Sequence, residues 1–196
     1  MSYTEYTKES WKGSVLTAPL PPVLVTCGSP DKPNILTVAW TGILCTQPPV
    51  TYISLRKERY SYDIIKDSGE FVINLPTAEL VRAVDYCGVR SGRKTDKFGD
   101  MKLTAAPSSE IGAPLLVQSP VNIECRVREI ILLGTHADIV KVNAAKELLD
   151  DKGKLMLGKA GLLAYAHGEY YELGRRLGTF GYSVRKKSKK NHNKGK

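Results

Sequence analysis

Hydroxyl and cationic side chains recur in two short segments of this sequence, residues 54–61 and 91–97. Phosphate groups bind to hydroxyls, backbone N–H groups and cations, and an arginine can hold a phosphate through two parallel hydrogen bonds. The same residue types also suit a solvated surface, so a phosphate site and an ordinary charged surface both fit this pattern. The residues concerned are Arg56, Lys57, Ser61, Ser91, Arg93 and Lys97.

Several other kinds of chemistry lack a sequence signal. No GxGxxG motif follows a predicted strand, and GxxxxGK[ST], GxSxG and HExxH are absent. The spacing of the three histidines, His136, His167 and His192, supports neither a catalytic triad nor a metal site. We therefore predict no metal site and assign no catalytic residue.

The four cysteines are far apart in the chain and form no CxxC pair. They are Cys27, Cys45, Cys87 and Cys125. A chain of this size does not depend on disulfides for stability. The expectation is four free thiols that are buried or half-buried.

The positive charge is concentrated at one end of the sequence. The net charge is +9, and residues 185–196 hold seven basic residues and no acidic one. Removing those seven charges leaves +2 for the remainder, so the body is near neutral. We interpret residues 185–196 as a basic disordered tail. Contact with RNA or an acidic surface is an alternative, but a specific nucleic-acid function is not favoured.

Composition and length indicate one globular domain. Hydrophobic residues make up 42% and charged residues 25% of the 196 residues, close to the usual values for such domains. No apolar run reaches membrane-spanning length, and the N-terminus does not have the pattern of a signal peptide. We expect a cytoplasmic protein that is not in the membrane, with an N-terminal arm at 1–14, a main domain at 15–184 and the tail at 185–196.

Hydrophobic periodicity predicts many strands and few helices. The first two strands are expected to be joined by a loop longer than a two-residue turn. The lack of alternating strand–helix units argues against a parallel sheet, and an antiparallel barrel with peripheral helices fits better. Strands are predicted at 23–28, 35–42, 50–55, 70–75, 121–128, 136–142, 162–165 and 169–172, helices at 59–68 and 77–86, and a loop at 88–99.

An ordered series of motifs resembles the flavin reductase-like family, in particular its flavoredoxin branch. The resemblance covers about residues 15–184 and implies a mainly β, antiparallel split β-barrel with a few peripheral helices. It also implies a homodimer, FMN held non-covalently, and either NAD(P)H-dependent flavin reduction or electron transfer. The motifs are Asn34–Gly42, Val50–Ser61 after a Gln-Pro-Pro break, Gly69–Asn74 with Pro76, Ser91-Gly92-Arg93, Asp96-Lys97-Phe98 and Gly134-Thr135-His136.

With FMN as the implied cofactor, the candidate residues divide between its phosphate and its ring. Ser54, Arg56 and Ser61 are expected at the phosphate first, followed by Arg93. Trp40 is either a hydrogen-bond donor to the flavin or a core aromatic, and Phe180 could cover the ring. The full set of cofactor-binding candidates is Asn34, Thr37, Ala39, Trp40, Thr41, Ser54, Leu55, Arg56, Lys57, Ser61, Ser91, Arg93, Lys97 and Phe180.

Three functions remain open from the sequence. The first is an NAD(P)H-dependent flavin reductase, in which the cofactor carries the hydride chemistry and the protein positions it. The second is a flavoredoxin-type electron carrier that takes electrons from a protein donor and does not oxidise NAD(P)H directly. The third is a non-redox binding module that uses the basic tail. No dinucleotide-binding motif decides between NADH and NADPH.

Overall fold

The computed structural model describes residues 5–13, 19–131, 141–159, 163–166 and 169–185. The chain divides into two compact units, one formed by residues 1–20 and 131–176 and the other by residues 21–130 and 177–196. Both consist mainly of antiparallel strands, as predicted. Among the described residues, no helix is long and apolar enough to cross a membrane.

The strands are numbered here in chain order. They are β1 (Lys8–Lys12), β2 (Val23–Ser29), β3 (Lys32–Val38), β4 (Thr41–Thr46), β5 (Pro49–Ile53), β6 (Glu70–Leu75), β7 (Ala105–Ala106), β8 (Leu115–Leu116), β9 (Val121–Arg126), β10 (Lys141–Ala145), β11 (Leu163–Ala166) and β12 (Glu169–Glu172). The α-helices are α1 (Tyr60–Ser68), α2 (Val81–Val89) and α3 (Lys97–Met101), and short 3-10 turns cover Ala78–Leu80, Lys146–Leu148, Leu157–Lys159 and Tyr182–Val184.

A four-stranded antiparallel sheet with strand order β3-β2-β6-β9 is the centre of the second unit. The run Val23–Cys27 in β2 is buried throughout, which is typical of a strand covered on both faces. The expectation of a longer loop after β2 is wrong. Ser29 pairs with Lys32, so Pro30 and Asp31 alone make the turn, and Gly28 adopts φ +88° just before it.

The two faces of this sheet carry separate apolar clusters because side chains alternate along each strand. One cluster joins Val25, Leu36 and Phe71 with Ile65 of α1. The other joins Leu24 and Ile35 with Cys87 of α2, Phe98 of α3 and Leu116. The sheet is therefore held between α1 on one face and α2 with α3 on the other.

Three predicted elements differ in ways that affect the site. The strand predicted at 35–42 is interrupted, since β3 ends at Val38 and β4 begins at Thr41. Ala39 and Trp40 therefore form a link between two sheets. The helix predicted at 77–86 is a 3-10 turn followed by α2, and the loop predicted at 88–99 contains the start of α3. There the Asp96 side chain accepts a hydrogen bond from the Gly99 N–H at 3.1 Å and caps the helix.

In the first unit, β1 pairs with β10 and β11 pairs with β12. The β11–β12 pair agrees with the two strands predicted there. Lys8–Lys12, in the segment expected to be an arm, forms β1. His136, His167 and most of the strand predicted at 136–142 lie outside the described residues.

The Asn74 side chain is a buried hydrogen-bonding centre in β6. Its amide nitrogen donates to the Leu24 carbonyl at 2.8 Å and to Thr26 Oγ1 at 3.0 Å. Its oxygen accepts from the Leu116 N–H at 3.0 Å and from the Asn122 amide at 2.7 Å. Asn74 thus joins β2, β6, β8 and β9 from a fully buried position.

Replacing Asn74 with alanine is expected to lower the free energy of unfolding by about 2–4 kcal/mol, because buried donors and acceptors lose their partner. Urea denaturation followed by circular dichroism measures the change. Asn122→Ala is the matched control, since Asn122 is only half-buried and takes part in fewer of these bonds. An equal effect of the two substitutions would contradict the central role of Asn74.

Candidate functional site

A groove of about 560 Å³ lies in the second unit, beside the end of β3, and is called here the main groove. Its volume is within the range usual for small-molecule sites. Most of its walls are apolar, and the polar side chains come from a few positions. Its lining is Pro22, Leu36–Trp40, Ser54–Arg56, Arg59, Val81, Val84, Asp85, Gly88, Leu177–Phe180 and Tyr182.

The link after β3 forms one wall of the main groove. Thr37 Oγ1 donates to the Val84 carbonyl of α2, which fixes the strand against the helix. The Trp40 carbonyl accepts from the Ser54 N–H at 2.7 Å, so the two segments approach each other through their backbones. Trp40 is 47% exposed and is therefore not a core aromatic.

Two arginines provide positive charge at the main groove. The Arg59 N–H donates to the Arg56 carbonyl at 3.0 Å in the turn that leads into α1. Arg56 is exposed and Arg59 is half-buried. The Arg59 guanidinium donates to the Gly88 carbonyl at 3.1 Å, one of the carbonyls at the C-terminal end of α2 that lack a partner within the helix.

Residues 177–180 and Tyr182 form a further wall of the main groove, and this segment is anchored by Asp85. One carboxylate oxygen of Asp85 accepts from the Gly181 N–H at 2.8 Å. The other accepts from the Ser183 N–H at 3.0 Å and from the Ser183 hydroxyl. Desolvation acts to raise the pKa of Asp85, but the bonds from Ser183 and Gly181 outweigh it and the pKa falls below its usual value. The carboxylate is thus well suited to stay ionised.

A second cavity of about 650 Å³ is lined by other residues and is called here the second cavity. The Arg93 guanidinium lies 5.6 Å from the centre of the Tyr60 ring and 3.6 Å from the Asp63 carboxylate. The Asn34 amide donates to Ser61 Oγ at 2.7 Å. The lining is Gly28, Ser29, Lys32–Ile35, Tyr60, Ile64 and Gly92–Phe98.

Lys97 in the second cavity is a buried cation. Only 5% of the residue is exposed, and its ammonium donates to the Ile35 carbonyl at 2.7 Å and the Cys87 carbonyl at 3.1 Å. Burial lowers the pKa of Lys97 from its ordinary value. Lys97 therefore joins β3 to the C-terminal end of α2, a structural role that its sequence position did not indicate.

The structure divides the predicted site residues into three groups. Thr37, Ala39, Trp40, Ser54, Leu55, Arg56 and Phe180 line the main groove. Asn34, Arg93 and Lys97 line the second cavity. Thr41, Lys57, Ser61 and Ser91 line neither of these two.

The four residues outside both cavities have other contacts or are exposed. Ser61 is buried against Asn34, and the Thr41 hydroxyl donates to the Tyr52 carbonyl at 2.6 Å. Ser91 Oγ accepts from the Arg93 N–H at 3.4 Å. Lys57 is exposed.

Sequence reasoning missed several residues of the main groove, among them Arg59, Asp85 and Gly88. Arg59 had a usable signal, since it lies three residues after Arg56 in the same basic turn. An added Cβ at Gly88 would be in ordinary van der Waals contact with the Thr37 Cβ, at 3.4 Å. Asp85 had no such signal, because its partners are almost one hundred residues away in the chain.

A family model described as the flavin reductase like domain matches residues 16–174. The chain belongs to the flavin reductase-like family. Membership gives this flavin reductase-like protein a flavin-associated redox role, which favours the two redox functions over a non-redox module. Membership in this family also supports flavin binding.

Two solved structures resemble this flavin reductase-like chain. Flavoredoxin of Desulfovibrio vulgaris (Miyazaki F) is 32% identical, with a TM-score of 0.59 over 88% of this chain and 96% of that one. The FMN-binding domain of a flavin reductases-like enzyme from Shewanella baltica is 18% identical, with a TM-score of 0.52 over 90% and 100%, and shows the fold alone. Together they confirm the predicted split-barrel class.

Two curated relatives are also similar. An uncharacterized protein of Archaeoglobus fulgidus is 34% identical over 60% of this chain and 66% of its own length. An NADPH-flavin oxidoreductase of Streptomyces viridifaciens is 26% identical over 71% of this chain and 70% of its own.

The four thiols differ from the expectation at one position. Cys27, Cys87 and Cys125 are buried, but Cys45 is exposed, since β4 leaves it facing outwards. Burial raises the pKa of Cys87 and of Cys125 to about 11 and raises that of Cys27 as well.

In the native protein at pH 8, therefore, a disulfide reagent such as DTNB is expected to modify one thiol rapidly, and four after denaturation. Thiolates are the reactive form, so buried thiols with raised pKa values react slowly. The Cys45→Ser variant should show no rapid reaction. Rapid modification of a second thiol would contradict the burial of the other three.

Proposed function

We propose that the chain binds FMN non-covalently, with the flavin ring in the main groove, and works as an NAD(P)H-dependent flavin reductase. The observation that carries the proposal is the combination, in one groove of a flavin reductase-like protein, of apolar walls with the arginines Arg56 and Arg59. The apolar walls would pack against the flat flavin ring, and the two arginines would bind the dianionic phosphate.

The ring is proposed to lie between Trp40 and Leu55 on one side and the segment containing Phe180 on the other. Phe180 is 84% exposed, so its ring is free to cover a bound flavin. The backbone of Thr37–Trp40 offers polar groups at the ring edge, and Val84 closes the apolar wall.

The phosphate is proposed to point towards the second cavity. Both cavities take lining residues from β3 and from the turn into α1: Leu36 and Arg59 line the main groove, and Ile35 and Tyr60 line the second cavity. Ser54, Arg56 and Arg59 would hold the phosphate from the main groove. Arg93 and Lys97 would add positive charge from the second cavity.

Bound FMN supplies the ability to accept a hydride from a pyridine nucleotide and to pass on its electrons. The chain's own residues hold the ring in place and exclude water from its apolar face. Arg56 and Arg59 would offset the negative charge of the bound phosphate. No side chain of the main groove is assigned a proton transfer.

Two comparisons bear on the electron donor. The similarity to an NADPH-flavin oxidoreductase supports NADPH, whereas the similarity to flavoredoxin supports a carrier that receives electrons from a protein.

A homodimer, as the family resemblance implies, is part of the proposal. Ile43 and Leu44 in β4, exposed by 73% and 64%, offer apolar surface for a second copy.

The visible absorption spectrum of the purified protein tests this function. Oxidised-flavin bands are expected to be present or to appear on adding FMN, and to bleach rapidly with NADPH under anaerobic conditions. Bleaching by dithionite but not by NADPH or NADH would select the electron carrier. A protein that retains no FMN would contradict the proposal altogether.

The orientation of FMN is tested by comparing FMN with riboflavin, which lacks the phosphate. Arg56→Ala is expected to weaken FMN binding about 10- to 100-fold, as for a lost hydrogen bond to a charged group, and to leave riboflavin binding unchanged. Trp40→Ala should weaken both ligands. Quenching of flavin fluorescence gives the affinities.

Arg93→Ala serves as the matched arginine from the second cavity. A loss specific to FMN in this variant supports a phosphate that points there, whereas unchanged FMN binding would place the phosphate at Arg56 and Arg59 alone. Equal losses for FMN and riboflavin in Arg56→Ala would contradict a phosphate contact.

A further inference from the structure

One side of α2 lines the main groove, and an acidic residue lies on that side. Four residues of the helix reach the groove at positions i, i+3, i+4 and i+7, which form one stripe along a helix. They are Val81, Val84, Asp85 and Gly88, and of these four Asp85 alone is charged. A carboxylate repels the dianionic phosphate that the groove is proposed to bind. Asp85 therefore has a role other than binding that phosphate.

The hydrogen bonds of Asp85 indicate what this role is. Its carboxylate oxygens accept from the Gly181 N–H at 2.8 Å, from the Ser183 N–H at 3.0 Å and from the Ser183 hydroxyl. The two N–H groups lie at the start of the 3-10 turn Tyr182–Val184, where a helical turn leaves its donors without partners inside the turn. Asp85 thus caps a turn that is distant in the chain and attaches it to α2.

The same contacts hold a β-turn that carries Phe180. The Tyr182 N–H donates to the Thr179 carbonyl at 2.9 Å, and Gly181, at the third position of the turn, has φ +76° and ψ 7°. The φ of Phe180 is negative. These angles identify a type II turn, which requires a positive φ at its third position and so favours glycine there. Phe180 occupies the second position, at the tip of the turn.

A further contact makes this segment compact. Gly178 lies so close to the Tyr182 ring that a Cβ added at Gly178 would be 2.7 Å from Tyr182 Cδ1. Phe180 lines the main groove and is 84% exposed. The turn thus presents a large apolar ring on a backbone that is already ordered. Such a ring contacts a ligand at low entropic cost, because its backbone needs no further ordering.

We propose that Asp85 is a positioning residue, which holds the turn at residues 179–182 so that Phe180 stays at the main groove and slows the release of the flavin. The inference rests on the proposed function, because it requires a flavin in this groove. Contact between Phe180 and the flavin ring is apolar and does not depend on the phosphate. The flavin therefore stays bound between turnovers as a resident cofactor and does not exchange as a free substrate.

Two other roles of Asp85 predict different results. A purely electrostatic role predicts that removal of the negative charge strengthens FMN binding and leaves the binding of riboflavin unchanged. A purely structural role predicts a lower free energy of unfolding without faster flavin release. The positioning role predicts faster release of both flavins, because it acts on the ring that FMN and riboflavin share.

The rates of flavin release from the full chain test the proposal. Flavin-loaded protein is diluted, and the increase in flavin fluorescence gives the dissociation rate constant, while stopped-flow quenching gives the association rate constant. Asp85→Asn is expected to raise the dissociation rate constants of FMN and riboflavin about tenfold or more and to change association by less than about threefold.

Asp100→Asn is the matched control. Asp100 also accepts a hydrogen bond from a residue of α2, the Tyr86 hydroxyl at 2.6 Å, but it does not line the main groove. Its replacement removes the same charge and a comparable bond. Both dissociation rate constants of this variant should stay within about twofold of wild type.

Variants of Phe180 show whether Asp85 acts through this ring. Phe180→Ala should raise both dissociation rate constants as Asp85→Asn does, and the double variant should be no faster than Phe180→Ala alone, because effects on one shared contact do not add. Phe180→Trp keeps an aromatic ring and should retain slow release. Since Phe180 is exposed, these variants are expected to fold, which circular dichroism checks, and they test the proposal even where Asp85→Asn is unstable.

Several results would overturn the inference. Unchanged release from Phe180→Ala, release from Asp85→Asn at or below the wild-type rate, additive effects in the double variant, or faster release of FMN alone would each do so. A wild-type chain that binds added FMN but loses it on a desalting column would contradict a resident cofactor. A chain that binds no flavin loses the proposed function and this inference together, whereas a flavin-binding chain with release insensitive to Phe180 loses the inference alone.

Discussion

The C-terminal end of α2 is the point on which both cavities depend. A helix leaves its last carbonyls without partners inside the helix, and those of Cys87 and Gly88 accept hydrogen bonds from Lys97 and Arg59. Positive charge is favourable at this end of a helix, which offsets part of the cost of burying the Lys97 ammonium. Because Arg59 precedes α1 and Lys97 begins α3, these two bonds fix α2 against both segments.

The same ammonium links α2 to the sheet. β3 is the outer strand of the four-stranded sheet, so carbonyls on its free side need partners other than a strand. Lys97 donates to the Ile35 carbonyl. Further along β3, the Thr37 hydroxyl donates to the Val84 carbonyl of α2. The main groove lies beside the second of these contacts and the second cavity beside the first. Both cavities thus lie where one helix is attached to one strand edge.

A separate contact, made by the Asp85 carboxylate, holds the part of the main groove formed by the last described residues. Asp85 belongs to α2, and it holds residues 181 and 183, which are nearly one hundred positions later. The carboxylate accepts hydrogen bonds from the Gly181 N–H, the Ser183 N–H and the Ser183 hydroxyl, which would otherwise bond to water. These three bonds hold the glycine-containing segment in place beside the main groove. They also fix residues 181 and 183 against α2.

The sequence alone was sufficient to predict the strand-rich class, the family and the β2 and β6 strands. It also predicted most of the main-groove residues in segments 36–40 and 54–56. These features depend on local patterns, such as β-branched runs, turn residues and short motifs, which act within a few residues. The tertiary structure alone decided that Arg93 and Lys97 line a cavity separate from Arg56, that Lys97 is buried, and that Asp85 and Arg59 belong to the groove. Those outcomes depend on which distant segments pack together and on which backbone carbonyls are left without a partner, and neither property can be read from the spacing of residues along the chain.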